Sequence, residues 1–278
     1  MTPLMIATAA MPAREAPGGQ PVRPPVHVSG ADLVTVGTGY QWWAKNLDTR
    51  RPMGSITKVM TALVVLEEGH LNRGIRVSRA AIRYVSKHDG SSAGLVAGDV
   101  LTARQLLEAM LLPSGCDAAY LLATAYGPGR SAFITKMNTT AKALGLTSTH
   151  FTSFDGLPIP TGHSTYSTPA DLIRLGEQAM RYQLFRQIVR QDRYFVPQTA
   201  RHHGYLWYTT NGLIGNYEGA LGIKTGNTPA AGNCLLFEAK RDGRTLIGVV
   251  LHAGPTSNPV SAIVAARQVL NWGFRHFG

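Results

Sequence analysis

Ser55 and Lys58 stand three residues apart in the stretch Gly54-Ser55-Ile56-Thr57-Lys58. A serine hydroxyl is a poor nucleophile at its own pKa and needs an adjacent base. A lysine amine can be that base when burial or a second cation keeps it neutral part of the time. In a helix this spacing puts both side chains on one face. The residues that follow predict such a helix: Val59, Leu63 and Leu66 recur at helical spacing, and Gly69 after Glu67 and Glu68 is a stop. Ser55 then lies near the amino end, where free N–H groups and the helix dipole favour developing negative charge. Taken alone, S-x-x-K is common enough to arise by chance, with Ser55 as a cap and Lys58 as a solvated charge.

Two further stretches carry groups of the right kind. Lys224-Thr225-Gly226 ends a predicted strand, Ala220–Lys224, where the glycine allows close backbone approach and the other two offer a cation and a hydroxyl. Ser114-Gly115-Cys116 is a tight link between two predicted helices. Each has an ordinary structural reading as a strand end or a linker.

The elements around them follow from pattern. Gly37-Thr38-Gly39 separates two strand-like segments within 31–47, and residues 71–100 read as irregular, with strand-like pieces at Ile75–Val77 and Gly94–Val96. Thr102-x-x-Gln105 is a capping box before Leu106, Leu107, Met110 and Leu111. Helices are expected from Asp117 to Tyr126, over about 132–144, from Thr168-Pro169 to about Met180, and over 183–190. Tyr205–Thr210, Cys234–Lys240 and Thr245–His252 read as strands, the last two joined by a turn at Asp242-Gly243, and Asn258-Pro259 opens a closing helix. The expected class is α/β (α+β): one antiparallel sheet built from both chain ends, flanked by helices, with a mainly helical subdomain beside it. The sheet subdomain is expected over 29–69 and 205–278, the helical one over 70–204, together one domain over 29–278. The cleft between them is the expected site. Residues 1–28, with prolines at 3, 12, 17, 21, 24 and 25, read as a flexible tail or signal remnant.

Composition narrows the partners. The 278 residues carry 27 Lys and Arg against 16 Asp and Glu, a formal charge of +11. Such a surface attracts acidic wall polymers or an anionic membrane. The arginines are dispersed, so specific nucleic-acid binding is not expected. Cys116 and Cys234 are the two cysteines, and neither they nor the nine histidines show metal-ligand spacing; no metal site is expected. No apolar run is long enough to span a membrane.

Taken in order, S-x-x-K at 55, S-G-x at 114 and K-T-G at 224 resemble the motif set of the serine penicillin-recognising enzymes. Within them the chain resembles the low-molecular-mass D-alanyl-D-alanine carboxypeptidases and transpeptidases. It is most similar to the small Streptomyces transpeptidase group, which shares cysteine in the S-G-C-D-A-A context. The stretches Leu112–Leu121, His150–Pro158 and Tyr166–Ile173 add to the likeness.

The resemblance implies acyl transfer from peptidoglycan stem peptides, with Ser55 as nucleophile, Lys58 as its base and Ser114 relaying a proton to the leaving amine. It implies Cys116, Lys224, Thr225, Gly226 and Asn227 at the substrate, with Lys224 and Thr225 on its terminal carboxylate. The oxyanion hole is expected from the backbone N–H groups of Ser55 and Asn227. It implies covalent inhibition by β-lactams, no cofactor, and an extracytoplasmic site of action. Cys116 departs from the asparagine of most relatives, replacing an amide by a weakly hydrogen-bonding thiol. The alternatives are a β-lactamase of the same fold, disfavoured because the loop 146–167 has no glutamate, and an inactive polyanion-binding protein.

Overall fold

The computed structural model describes residues 23–276. Up to position 22, the tail expected over 1–28 lies outside the described residues; Val28 at its end is buried. The central sheet is antiparallel throughout. Strands β1 (Gly30–Thr35) and β2 (Gln41–Lys45) come from the front of the chain. Strands β7 (Ala220–Thr228), β8 (Gly232–Arg241) and β9 (Arg244–Leu251) form a meander from the back. The order β2-β1-β9-β8-β7 joins the two ends through β1 and β9, as expected, and leaves β7 as an edge.

Both faces of the inner strands are covered, so these strands read as nearly continuous apolar runs. Leu235, Phe237, Leu246 and Val250 pack against helix α8 (Ser261–Arg275) through Ala262, Ala266, Val269 and Leu270. Leu236, Ile247, Val249 and Leu251 belong to the larger core on the opposite face. That core holds helix α1 (Lys58–Glu68) and helix α6 (Pro169–Met180). It continues into helices α3 (Ala103–Leu111), α4 (Cys116–Tyr126), α5 (Arg130–Ala143) and α7 (Gln183–Val189). The Thr102–Gln105 capping box forms as expected, and Thr168 caps α6 by accepting from the Asp171 N–H.

The segment expected to be irregular differs. Helix α2 (Arg79–His88) lies there, with Ser78 accepting the Ala81 N–H at its start. Ala81, Ile82, Tyr84 and Val85 turn inward, while Arg79, Arg83 and Lys87, four residues apart, form one exposed face; the helical period is there but spans only ten residues. Strand β3 (Gly74–Arg76) overlaps the strand-like piece expected at Ile75–Val77 and pairs with β4 (Val100–Thr102). Residues Gly94–Val96 form no strand, because the neighbouring backbone turns inward instead: the Ala93 N–H donates to the Asp117 carboxylate at 3.0 Å. Strand β6 (Tyr205–Tyr208) does not join the main sheet; it pairs with β5 (Arg193–Val196) as a separate ribbon. The ribbon's inner face packs on the loop after α2, where Trp207 Nε1 donates to the Ala93 carbonyl and Tyr205 receives the Val96 N–H.

Three of the buried acids are strongly shifted in this fold. Burial raises the carboxyls of Asp32, Glu108 and Glu238 to about 7 each, and Glu177 adds repulsion at Asp32 and Glu238. A carboxyl whose folded pKa is raised binds its proton more tightly when folded. Its stabilising contribution is therefore complete below the unfolded pKa of about 4 and is lost as pH climbs to about 7. Denaturant unfolding across that window should show stability falling with pH on account of these groups, with a shallower fall in Asp32→Asn and Glu238→Gln. An unchanged slope in both variants would contradict the assignment.

Candidate active site

Ser55 lies in a 3₁₀ turn, Gly54–Thr57, that runs directly into α1. The turn presses against β7. A Cβ on Gly54 would sit 2.8 Å from the Asn227 nitrogen, and one on Gly226 would sit 2.2 Å from the Met53 carbonyl oxygen. Only glycine allows the turn and the strand to approach this closely, and Gly54 also has φ +54°. The contact brings the backbone around Ser55 beside that of Asn227.

Lys58, in the first turn of α1, is completely buried. Its Nζ is 2.7 Å from Ser55 Oγ, 3.0 Å from the Asp155 carbonyl oxygen, and 3.4 Å from both Ser114 Oγ and Cys116 Sγ. Asp155 belongs to the loop before α6, within the stretch His150–Pro158 that contributed to the family likeness. Its contribution to Lys58 is a main-chain oxygen, and no side-chain pattern announces that.

Ser114 has φ +67°, a left-handed conformation uncommon for a residue with a side chain. Two neighbours hold it there. Ser91 Oγ donates to the Ser114 carbonyl at 2.6 Å, and the Ser91 carbonyl receives the Cys116 N–H at 2.7 Å. Asp117, buried at the start of α4, accepts from Ser92 Oγ at 2.8 Å and from the Ala118 N–H at 2.9 Å, tying the same loop to the helix. Neither Ser91 nor Ser92 stands out in the sequence.

On the opposite wall Lys224 is also buried. Its Nζ donates to the Thr225 carbonyl at 3.2 Å and approaches Thr225 Oγ1 at 3.4 Å. Burial, and then the charge of Lys58, push its pKa well below the usual lysine range. Thr225 Oγ1 shares a hydrogen bond of 2.6 Å with Thr210 Oγ1, just beyond β6. Asn227 Nδ2 donates to Asn233 Oδ1 on β8, and the Asn233 amide in turn donates to the carbonyls of Pro255 and Asn258 at 2.6 and 2.7 Å. Thr210 and Asn233 lie outside the three motifs, and nothing in their residue type marks them in the sequence.

Between the walls is a cleft of about 350 Å³, lined by Ser55, Ser114, Cys116, Thr225, Gly226 and Asn227 among others. The fold thus gathers the eight expected site residues in one place, with Lys58 and Lys224 behind the lining. Among the described residues no cluster of His, Cys, Asp or Glu could hold a metal ion. Cys116 and Cys234 are free buried thiols. Burial raises the Cys116 thiol despite the nearby Lys58, and pushes Cys234 up to about 12.

The family model for D-alanyl-D-alanine carboxypeptidases, peptidase family S11, matches residues 20–254, and the chain belongs to that family. It is 42% identical to the D-alanyl-D-alanine carboxypeptidase of Streptomyces sp. strain K15, over 97% of this chain and 96% of that one. It is 34% identical to a D-alanyl-D-alanine carboxypeptidase of Mycobacterium tuberculosis, over 90% of this chain and 87% of the relative. The crystal structure of the Streptomyces K15 DD-transpeptidase superposes with a TM-score of 0.85 at 40% identity, covering 91% of this chain and 99% of the other.

The thiols supply a direct check on the cleft. With Cys116 and Cys234 buried and their pKa values raised, the folded protein should gain little mass from iodoacetamide near neutral pH, whereas the denatured protein should gain two adducts. Rapid labelling of Cys116 in the folded protein would place it outside the wall described here.

Proposed function

We propose that the protein is a serine D-Ala-D-Ala peptidase that acts on peptidoglycan stem peptides through an acyl-enzyme and is acylated by penicillin. The observation that carries this reading is the 2.7 Å contact between Lys58 Nζ and Ser55 Oγ, made by a buried lysine that also reaches Ser114. Membership of the carboxypeptidase family supports it.

A neutral Lys58 amine has one lone pair and two N–H groups. The lone pair accepts the Ser55 proton while the N–H groups remain directed at the Asp155 carbonyl and the Ser114 hydroxyl. Ser55 Oγ attacks the carbonyl of the terminal D-Ala-D-Ala bond, and the oxyanion forms between the N–H groups of Ser55 and Asn227. The proton taken by Lys58 passes through Ser114 Oγ to the nitrogen of the departing D-alanine. The ester on Ser55 is then released to water or to a peptidoglycan amine. Lys224 and Thr225 face the substrate carboxylate, whose charge favours the ammonium form of Lys224. Cys116 adjoins Lys58 at the cleft wall, where its thiol offers only a weak donor to a substrate amide.

The charge of +11 suits a protein working beside acidic wall polymers or a membrane surface outside the cytoplasm. Among the described residues no helix is long and apolar enough to cross a membrane.

Intact-mass measurement after mixing with benzylpenicillin tests the reading. The wild type should gain one penicilloyl group, and Ser55→Ala should gain none, a loss on the order of 10⁴-fold or more in rate. A penicilloyl group on Ser55→Ala would remove Ser55 as the nucleophile. Lys58→Ala should remain unacylated even at saturating penicillin, and normal acylation of that variant would exclude Lys58 as the base. The loop 146–167 offers no glutamate to activate a water, so the penicilloyl-enzyme should persist. Turnover near about 10 s⁻¹, an ordinary enzymatic rate, would instead make the protein a β-lactamase.

A further inference from the structure

The proposed reaction assigns the substrate carboxylate to Lys224 and Thr225, but the hydrogen bonds around Thr225 place a third group in line. Thr225 has one hydroxyl hydrogen. Its Oγ1 lies 3.4 Å from Lys224 Nζ and 2.6 Å from Thr210 Oγ1, and a bound carboxylate favours the ammonium form of Lys224, which can only donate. Facing a donor on one side, Thr225 satisfies both contacts when it accepts from Lys224 and donates to Thr210. The Thr210 hydroxyl, already accepting, then has its own hydrogen left to give. Thr210 is exposed and lines the cleft, whereas the Lys224 side chain is buried behind it.

We propose that Thr210 is a substrate-binding residue whose hydroxyl, at the end of a Lys224–Thr225–Thr210 donor chain, hydrogen-bonds the terminal carboxylate of the substrate. The inference rests on the peptidase reading and deepens it. Each link points its hydrogen toward the cleft, so the chain carries the polarity of a buried cation to a surface where an anion can reach it. Donors aligned in series polarise one another and strengthen the last bond. Thr210 is held in position by its main chain, where its N–H donates to the Leu112 carbonyl at 3.0 Å beside the Ser114 link. The carboxylate therefore docks on the same short segment that joins the ribbon β5–β6 to the catalytic wall. Among the described residues that line the cleft none is an arginine or a lysine, so the anion meets neutral donors, of which Thr210 keeps a free hydrogen while Thr225 gives its own to Thr210.

The test compares acylation by benzylpenicillin and by its methyl ester, which lacks the anion, in wild type, Thr210→Val and Thr210→Ser. Second-order rates of adduct formation are read by intact mass. The wild type should prefer the free acid. Thr210→Val should lose about tenfold or more with the free acid, the scale of one hydrogen bond to a charged group, and keep the wild-type rate with the ester. Thr210→Ser, which retains the hydroxyl, should keep the wild-type preference. Undiminished preference for the acid in Thr210→Val would overturn the inference and leave the peptidase reading intact. Equal losses with acid and ester would also overturn it, by showing that Thr210 shapes the cleft without reading the charge. A wild type acylated by neither compound would overturn the peptidase reading and this inference together.

Discussion

A lysine amine without access to water is the constraint on which the rest of the site depends. Lys58 Nζ has four neighbours within 3.4 Å, drawn from the turn before α1, the link between α3 and α4, and the loop before α6. An ammonium has three hydrogens, and a neutral amine has two and a lone pair, so in either form Lys58 makes at most three of these four contacts at once. Burial of an unpartnered lysine would be strongly unfavourable. The fold is stable with Lys58 inside only if those three segments converge on it, and their convergence is also what assembles the cleft.

The converging segments are themselves held in uncommon shapes. Ser114 in a left-handed conformation costs on the order of 1 kcal/mol, offset by the Ser91 hydrogen bonds on either side of it. The loop containing Ser91 would have few contacts of its own if Asp117 did not receive its N–H groups and if the ribbon β5–β6 did not cover it. On the other wall, the Asn227–Asn233 pair links the edge strand β7 to the loop before α8. An edge strand has unpaired main-chain groups on its outer side. Here that side faces the cleft, where an extended substrate can use them.

The front and back of the chain were largely readable from sequence for simple reasons. Strands β7, β8 and β9 follow one another with short turns, and the apolar runs of β8 and β9 are nearly continuous because α6 covers one face and α8 the other. Pattern failed at 79–88 and 94–96 and at the ribbon. Helix α2 is only ten residues long with a low apolar content, so its helical period is brief, and β6 has the strand signal of a sheet member but pairs only with β5. Local propensity says that a segment is extended, not which neighbour it meets.

The site divides along the same line. Ser55, Lys58, Ser114, Lys224 and Thr225 were legible because the chemistry demands particular side chains at fixed spacing or at element ends, and side-chain type is what a sequence records. Ser91, Thr210 and Asn233, and the carbonyl of Asp155, were not. They act by hydrogen bonds to residues of other segments, through hydroxyls, an amide and a main-chain oxygen that occur everywhere in proteins. The sequence by itself determined the class of chemistry and the two-ended sheet. Only the tertiary structure decided which ordinary polar groups hold the reactive ones in place, because that depends on which segments are brought within 3 Å of one another, as the Asp155 carbonyl is to Lys58 Nζ.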